Sequence, residues 1–498
     1  MPSETNGWTL RRALARLPQM LAGSGAQFIR DLGMLVGGPV TAKLIGLLAF
    51  AYLARILDPD SYGEVEFVAG LAGLFAMVVD LGLSTIGVRR AAAAPEKRRE
   101  LAAQIFLIRL AVAIVSGLIM VVGVNVFGGS PALHGLVLLY AISLLAGACY
   151  QEWLLQSAGL MRQVALAQVL RMSTFLAAIL LLVHGIADTV LVGASEIAAV
   201  LVAAAYALRV QSRKIAPLRF WTRFDAGSLI REALPVALGT MIWSAAQYVP
   251  LFLMGALVGG AGVGFFAGAN RLAASIATFS FVYHFNLYAT ASRLARESAQ
   301  ALTTVMRSSF RATAWATIGG ALVVSLAATP IMTVIFGRDF GSAATSLAIL
   351  IWAVPMMFLA GHVRWSLILA HAEVEVFRSQ VAGLLTVVVL GLVLVPAYAE
   401  TGAAAAALGG NFGVWISSYS LARYRKVETP QLLLAAKPLL CAGILALGTG
   451  FVAMPALAEA IGALLLYVLC APMIDRALAG DILHLSRASA VTDGSAAQ

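Results

Sequence analysis

Long apolar runs separated by short polar turns organise this chain. The segment 33–90 sets the pattern, because it holds two apolar runs joined by the polar turn LDPDSYGE and closed by the paired arginines Arg89 and Arg90. Each run has about 25 residues, and at ~1.5 Å per helical residue such a run can cross a hydrocarbon core of ~30 Å. The segment therefore predicts a transmembrane helical hairpin.

The same pattern continues to the end of the chain and predicts about fourteen membrane spans. The predicted spans are 33–57, 63–87, 101–127, 132–157, 164–184, 188–209, 229–257, 262–290, 310–336, 343–370, 377–397, 401–422, 431–453 and 456–476.

A weak internal repeat divides these spans into two halves. LARILDPDSYGEVEF at 53–67 and LMGALVGGAGVGFF at 253–266 each end a span, turn through small or polar residues and restart at a glycine, Gly63 or Gly264. The repeat predicts two like-oriented six-helix lobes and two extra C-terminal helices, in an all-α polytopic membrane protein. The predicted segments are a cytoplasmic amphipathic segment at 1–32, the lobes at 33–210 and 229–422, a basic linker at 211–228, two helices within 431–476 and a cytoplasmic tail at 477–498.

Composition and charge agree with a membrane protein. The chain is 61% hydrophobic and only 12% charged, whereas about a quarter of the residues of a soluble protein are charged. Lysine and arginine collect in the alternate loops 89–100, 209–231, 293–311 and 423–426, while Arg338 is the only lysine or arginine in the connections predicted on the opposite side of the membrane. The bias predicts that both termini are cytoplasmic, and it explains the net charge of +10 without a nucleic-acid partner.

The chain carries no recognisable catalytic or metal motif. It has no phosphate-binding glycine loop with lysine, no HExxH and no nucleophile elbow. Cys149, Cys441 and Cys470 lie in apolar runs without metal or disulfide spacing. The predicted external loops are too short for the external domain that a glycan polymerase or ligase usually needs. A transporter without cofactor is therefore favoured over an enzyme.

Charged residues inside the spans are the candidates for function, since charge in lipid is costly. Lys43 and Asp80 lie at similar depth in the first hairpin, and so do Arg55 and Glu64 at its outer end. Two ion pairs are expected there, structural in one interpretation and functional in the other.

Further charges follow in the third to sixth spans. Arg109 and Glu152 lie at mirror positions about their turn, so an ion pair is the simplest interpretation. Glu196 has no evident partner, which makes it a candidate for protonation or cation binding. Arg171 and Arg364 lie near inner boundaries, where long side chains can reach the lipid headgroups.

The seventh and eighth spans each carry one polar stripe at helical spacing. The stripes consist of Thr240, Ser244 and Gln247, and of Arg271, Ser275 and Thr278. Arg271 lies about nine residues inside the outer boundary, or ~13 Å deep, where a side chain hardly reaches water. It is expected to face a solvated path or an anion. The alternative is an arginine that braces the two helices through Gln247.

Several motifs resemble the polysaccharide-biosynthesis flippases of the multidrug/oligosaccharidyl-lipid/polysaccharide exporter superfamily. They are LARILDPDSYGEVEF followed by VVDLGLSTIGVRRAA, GVGFFAGANRLA at 262–273, TPIMTVIFGRDFGSAATSLAILIW at 329–352 and AETGAAAAALGGNFGVW at 399–415. The resemblance covers nearly the whole chain, although each motif is short.

The resemblance implies a carrier that moves an undecaprenyl-pyrophosphate-linked oligosaccharide across the bacterial inner membrane by alternating access. In that family two lobes form a V around a cationic cavity lined by the first, second, seventh and eighth spans. The matching positions here are Lys43, Arg55, Asp80 and Arg271. The family often has an acidic residue on the seventh span, where this chain has Gln247 and Tyr248.

The candidate substrate-binding residues are thus Lys43, Arg55, Asp80, Gln247 and Arg271, and the candidates for ion coupling are Asp80 and Glu196. The expected partners are the lipid-linked oligosaccharide, membrane lipids and other proteins of polysaccharide assembly. Two alternatives stay open: a multidrug or cation antiporter of the same superfamily, and an integral-membrane glycan polymerase or ligase. The excess of basic over acidic intramembrane residues disfavours the antiporter.

Overall fold

A computed structural model describes residues 24–215, 226–449 and 454–481, with side chains for all of these except 24–36 and Ala289. The described chain is helical and contains no β-strand. Its helices are α1 Ser24–Ile56, α2 Pro59–Asp80, α3 Leu83–Ala93, α4 Arg98–Phe127, α5 Pro131–Ala148, α6 Glu152–Ser157, α7 Met161–Leu182, α8 Leu191–Lys214, α9 Ala226–Leu257, α10 Ala261–Glu297, α11 Ala299–Leu326, α12 Ala328–Phe336, α13 Ala344–Leu350, α14 Ala353–Leu369, α15 Glu373–Tyr424, α16 Leu433–Thr449 and α17 Ala456–Ile474. Most of the predicted amphipathic segment, of the linker and of the tail lies outside the described residues.

Eleven helical segments of the described chain are long and apolar enough to cross a membrane, or twelve if α11 and α12, bent by 71°, form one span. The 52-residue α15 is a hairpin, because Ala399 has φ 46° and the halves face each other where Gly383 meets Val414 and Gly402 meets Leu394. If α11 with α12 counts as one crossing, α15 as two and the 17-residue α16 as one, the described helices make fourteen crossings, which is the predicted number. The all-α membrane fold is confirmed.

Helix ends follow local signals at the turns. Asp58 caps α2 by accepting a hydrogen bond from the backbone N–H of Ser61 at 3.0 Å, and Pro59 occupies the first helical position. The predicted second span is two helices, because Leu81 and Gly82 both have positive φ. Glycine is required at 82 by this conformation and by a close approach, since an added Cβ would lie 2.9 Å from the carbonyl oxygen of Ala233 on α9.

The same pairs of spans pack together in each half of the chain. In the N-terminal lobe, α1–α8, the first span packs against the fifth (α1 on α7) and the second against the fourth (α2 on α5). In the C-terminal lobe, α9–α15, α9 packs on α15 and α10 on α14, which are the equivalent spans six further along. This is the like-oriented arrangement that the internal repeat predicts.

The two extra helices, α16 and α17, pack on α11 of the C-terminal lobe. A buried charge cluster, which the sequence analysis does not predict, joins α16 and the residues after α17 to α11. Arg311 on α11 forms ion pairs with Asp475 at 3.5 Å and with Asp481 at 2.7 Å, and its side chain is only 8% exposed. Lys437 on α16 lies 3.6 Å from Asp475, so one carboxylate contacts both elements.

Candidate functional site

The two lobes meet through the helices that the repeat makes equivalent. α2 packs against both α9 and α10, and α1 packs against α10. We call the end that carries the loops 89–100, 293–311 and 423–426 the basic end, and the end that carries the turn at Pro59 the turn end. The first, second, seventh and eighth spans therefore face one another, as the resemblance implies for its cavity.

At the turn end the contact is made by the two restart glycines. An added Cβ on Gly264 would lie 2.0 Å from the carbonyl oxygen of Pro59, and one on Gly63 would lie 2.8 Å from the backbone nitrogen of Gly264. α2 and α10 thus cross backbone against backbone. Any side chain at either position would force the two lobes apart at this end.

Inside the membrane, Arg271 of α10 forms an ion pair with Glu66 of α2. Arginine Nε lies 2.5 Å from Oε1 and Nη2 lies 2.7 Å from Oε2, which is the bidentate geometry of a strong charge-assisted pair. Tyr62 donates a further hydrogen bond to Glu66 at 2.7 Å, and the guanidinium carbon lies 3.3 Å from the Phe50 ring centroid. The pair joins the lobes, and its carboxylate is buried.

The alternative in which Arg271 braces the two helices through Gln247 is therefore wrong, because Arg271 pairs with Glu66, which the sequence analysis does not single out. A usable signal was present in the sequence, because Glu66 and Arg271 lie at comparable distances from the turn-end starts of α2 and α10. Depth in the membrane alone would also have allowed Glu64 as the partner of Arg271. Glu64 instead accepts a hydrogen bond from Ser130 at 2.6 Å. A contact of Arg271 with a solvated path or an anion stays a prediction.

The predicted pair between Lys43 and Asp80 is wrong. Lys43 donates across the lobe boundary to Thr278 of α10. Asp80 accepts from Arg109, within its own lobe, and from Ser84 at 2.6 Å. Lys43 is exposed between the lobes and forms no ion pair among the described residues, whereas Asp80 is neutralised inside the N-terminal lobe.

The predicted pair between Arg55 and Glu64 is also wrong. Arg55 donates to the carbonyl oxygens of Val334 and Ile335, the latter from Nε at 3.1 Å. These carbonyls belong to the last turn of α12, where the partial negative charge of the helix end favours a cation. Arg55 therefore joins α1 to the C-terminal lobe at the turn end.

The remaining charges of the N-terminal lobe are paired differently from the prediction. Glu196 is not without a partner, because it accepts from Arg171, which therefore does more than reach the headgroups. Glu152 is not paired with Arg109; it accepts hydrogen bonds from Tyr150, Gln156 and Gln168 at 2.8 to 2.9 Å. Glu196 and Glu152 lie within the lobe and not at the interface. The role of Asp80 and Glu196 in ion coupling stays a prediction.

A second contact between the lobes closes the basic end. Arg89 and Arg90 of α3 both pair with Glu232 of α9, the Nε of Arg90 at 2.7 Å. The sequence analysis takes these two arginines only as an indication of which side of the membrane is cytoplasmic, and not as a contact between the lobes. Between the two ends Phe67 contacts Gly255, and Tyr248 fits against Gly70 and Gly73. The V implied by the resemblance is therefore closed along the α2–α9 seam.

Gln247 is placed apart from these charges. It lines a cavity of about 130 Å³ inside the C-terminal lobe, together with Arg364 and His284. No group of three or more histidine, cysteine, aspartate or glutamate side chains in the described part of the chain could hold a metal ion.

Comparison with known proteins agrees with this architecture. A family model described as polysaccharide biosynthesis protein matches residues 28–287, just over half of the chain. No curated protein matches the sequence.

Among solved structures, the lipid II flippase MurJ in an inward closed conformation matches with a TM-score of 0.65 and 14% identity, covering 89% of this chain and 99% of its own. An inward-facing multidrug resistance MATE family transporter of the MOP superfamily has a TM-score of 0.54 and 16% identity, covering 77% and 94%. A mutant of the Vibrio cholerae MATE transporter VcmN has a TM-score of 0.52 and 13% identity, covering 80% and 98%. The chain belongs to the polysaccharide biosynthesis protein family, and it is a multi-pass membrane protein with the fold of the MurJ and MATE structures.

Proposed function

We propose that this protein is a flippase that translocates undecaprenyl-pyrophosphate-linked oligosaccharide across the bacterial inner membrane for exopolysaccharide, capsule or O-antigen synthesis. The observation that carries the proposal is the charge of the lobe interface. Lys43, Arg55 and Arg271 all reach across from one lobe to the other, and of these only Arg271 meets a carboxylate, Glu66. The interface therefore holds more positive than negative charge.

That surplus suits a pyrophosphate-linked substrate. A pyrophosphate and acidic sugars need a positive, solvated path through the membrane, and the planar guanidinium of arginine can bind a phosphate through two parallel hydrogen bonds. In the closed conformation Glu66 occupies that fork. When the lobes separate, the same guanidinium becomes available, so a phosphate can replace Glu66 as its partner.

The cycle then follows from which contacts can coexist. Opening at the basic end breaks the contacts of Arg89 and Arg90 with Glu232, while the glycine crossing keeps the turn end closed. Phosphate binding at Arg271 stabilises the open state by competing with Glu66. Closure at the basic end and separation at the turn end then release the oligosaccharide on the other side. The prenyl chain stays in the lipid throughout.

The direct test is to delete the gene and locate the lipid-linked oligosaccharide. We expect it to accumulate on the cytoplasmic leaflet, protected in intact spheroplasts from an added glycan-oxidising enzyme, and complementation to restore its exposure. Normal exposure in the deletion strain would refute the proposal. Single repeat units accumulating on the outer leaflet would instead favour the polymerase or ligase interpretation. Increased drug sensitivity with normal glycan export would favour the antiporter.

A further inference from the structure

A cavity inside the C-terminal lobe lies apart from the lobe interface. It has a volume of about 130 Å³, is lined by α9, α10, α14 and α15, and is partly open to its surroundings. Its polar lining comes from Gln247, His284, Arg364, Gln380 and Asn411, and the pair of Arg271 and Glu66 is not part of it. The cavity is therefore separate from the path proposed for the lipid-linked substrate.

Arg364 differs from four other arginines inside the spans in having no carboxylate partner in the described part of the chain. Arg109, Arg171, Arg271 and Arg311 each meet a carboxylate. Arg364 forms no ion pair among the described residues, its Nε is buried without a hydrogen-bond partner, and none of the residues that line its cavity is acidic. A cation removed from water without a counter-charge costs several kcal/mol. An anion bound in the cavity would supply the missing counter-charge.

The nearest titratable side chains do not supply one. His284 donates from Nδ1 to the carbonyl oxygen of Ser280 at 2.7 Å, and its Nε2 lies 3.3 Å from Nδ1 of His362. The hydroxyl of Ser309 lies 2.8 Å from Nε2 of His362. One neutral tautomer of each ring satisfies this chain, with each Nδ1–H donating to its own helix and Ser309 donating to His362. The histidine pair contributes no negative charge.

The remaining polar groups can complete an anion shell. Gln247 and Gln380 carry amide N–H donors, and Asn411 uses one of its two on the carbonyl of Ala407 at 2.9 Å, which leaves the other for a ligand. At roughly 10–15 Å³ of cavity space per water, a volume of about 130 Å³ holds several waters, which is room for a small inorganic anion with part of its hydration shell.

We propose that this cavity binds a small inorganic anion such as chloride, held by the Arg364 guanidinium and the amides of Gln380 and Gln247. A bound anion would neutralise Arg364 and join α14 to α9 and α15. The C-terminal lobe would then be more stable with the anion than without it. The site is independent of the lipid-linked substrate, so its test needs no transport activity.

The test measures thermal unfolding of the purified full-length protein in detergent, with chloride exchanged for gluconate at constant sodium and constant ionic strength. Because an anion that binds only the folded state stabilises it by mass action, Tm should rise with chloride concentration. The variant Arg364→Gln should lose this dependence. The control Arg307→Gln, which removes an exposed arginine of α11, should keep it.

A second variant covers the case in which Arg364→Gln does not fold. Gln380→Leu keeps the side-chain size but removes an amide, and should raise the chloride concentration for half of the Tm shift by about tenfold, the effect of one lost hydrogen bond to a charged ligand. Replacing sodium by choline at constant chloride should change nothing. A Tm that depends on sodium and not on chloride, or an unchanged chloride response in Arg364→Gln or Gln380→Leu, would overturn the proposal.

Discussion

At the scale of single residues, the buried ion pairs differ in what they join. Arg271 and Glu66 lie on different lobes, whereas Arg171 and Glu196 lie on neighbouring helices of one lobe. Both pairs remove charge from a low-dielectric interior, where an unpaired partner is costly. Only the first must break when the lobes separate, so only the first can take part in substrate exchange.

The first prediction compares the two pairs after both charges are neutralised. The double variant Arg271→Gln, Glu66→Gln should fold and reach the membrane at near-normal abundance, because no unpaired charge remains, but it should lose polysaccharide export. The matched double variant Arg171→Gln, Glu196→Gln should keep export if that pair is only structural, and a loss of export there would instead support the predicted role of Glu196 in ion coupling. Surface polysaccharide in a complemented deletion strain is the measurement, with membrane abundance by immunoblot.

Single variants separate a phosphate contact from a structural role. Arg271→Ala leaves Glu66 buried and unpaired, which costs about 3–5 kcal/mol. Arg271→Lys keeps the charge without the bidentate fork, so we expect export to be only partly restored. Normal export by the Arg271 and Glu66 double variant would show that the guanidinium is dispensable and that the pair is only structural.

At the scale of elements, the crossing of α2 and α10 depends on the absence of side chains. We predict that Gly264→Ala holds the turn end apart, since its methyl group would overlap the Pro59 carbonyl. The change should lower export at least about tenfold, while Gly443→Ala on α16, where nothing lies within 4 Å, should leave it unchanged or slightly raise stability through helix propensity.

The separation itself can be measured by crosslinking across the turn end. A Cβ on Gly260 would lie 3.4 Å from Oδ1 of Asp60, so cysteines at these two positions of an otherwise cysteine-free protein should be close enough for a short bifunctional thiol reagent to crosslink them. Adding Gly264→Ala should reduce the yield of that crosslink strongly. An equal yield with and without the substitution would mean that the crossing accommodates a methyl group.

The attachment of α16 and α17 gives a third prediction, about stability. Arg311→Gln leaves two carboxylates near each other with Lys437 as their remaining cation, and should destabilise the purified protein by about 3–5 kcal/mol. Arg378→Gln should cost no more than ~1 kcal/mol, because the Arg378 side chain is 60% exposed and Glu375 keeps Arg425 as its partner. Thermal unfolding of both variants is the check, and similar Tm values for the two would contradict the assignment.

At the scale of the whole molecule, the basic loops predict the orientation in the membrane. In a cysteine-free background, single cysteines at Asp60 and Glu400 should react with an impermeant thiol reagent added to intact cells. Cysteines at Lys97 and Lys426 should react only after permeabilisation, because we place the basic end in the cytoplasm. Labelling of the second pair in intact cells would reverse the orientation, and with it the direction of transport.

The sequence predicts the crossings well and the side-chain partners poorly, for one physical reason. Hydrophobic length places a residue at a depth along its helix, but depth does not say which way the side chain points around the helix axis. Lys43 and Asp80 share a depth yet face different neighbours, Thr278 and Arg109. The pairs within one hairpin were the easiest to propose, whereas Arg271 and Glu66 are 205 residues apart.

The breaks inside spans were equally hard to read. Gly82 could be recognised as a small residue within an apolar run, but its positive φ depends on the nearby backbone of α9. The turn at Ala399 lies between the predicted spans 377–397 and 401–422, so its place was predictable, whereas its φ of 46° was not, because no glycine stands at that position. The repeat was predictable because it is a property of spacing along the chain.

The crossing of Gly63 and Gly264 has a mechanical consequence. At this crossing the two backbones touch with no side chain between them, so the contact point can serve as a fulcrum. From Gly63 to Arg90 the chain extends ~40 Å, and a rotation of about 10° would therefore displace the basic end by ~7 Å. Such leverage would pull Arg90 away from Glu232 while the glycines stay in contact.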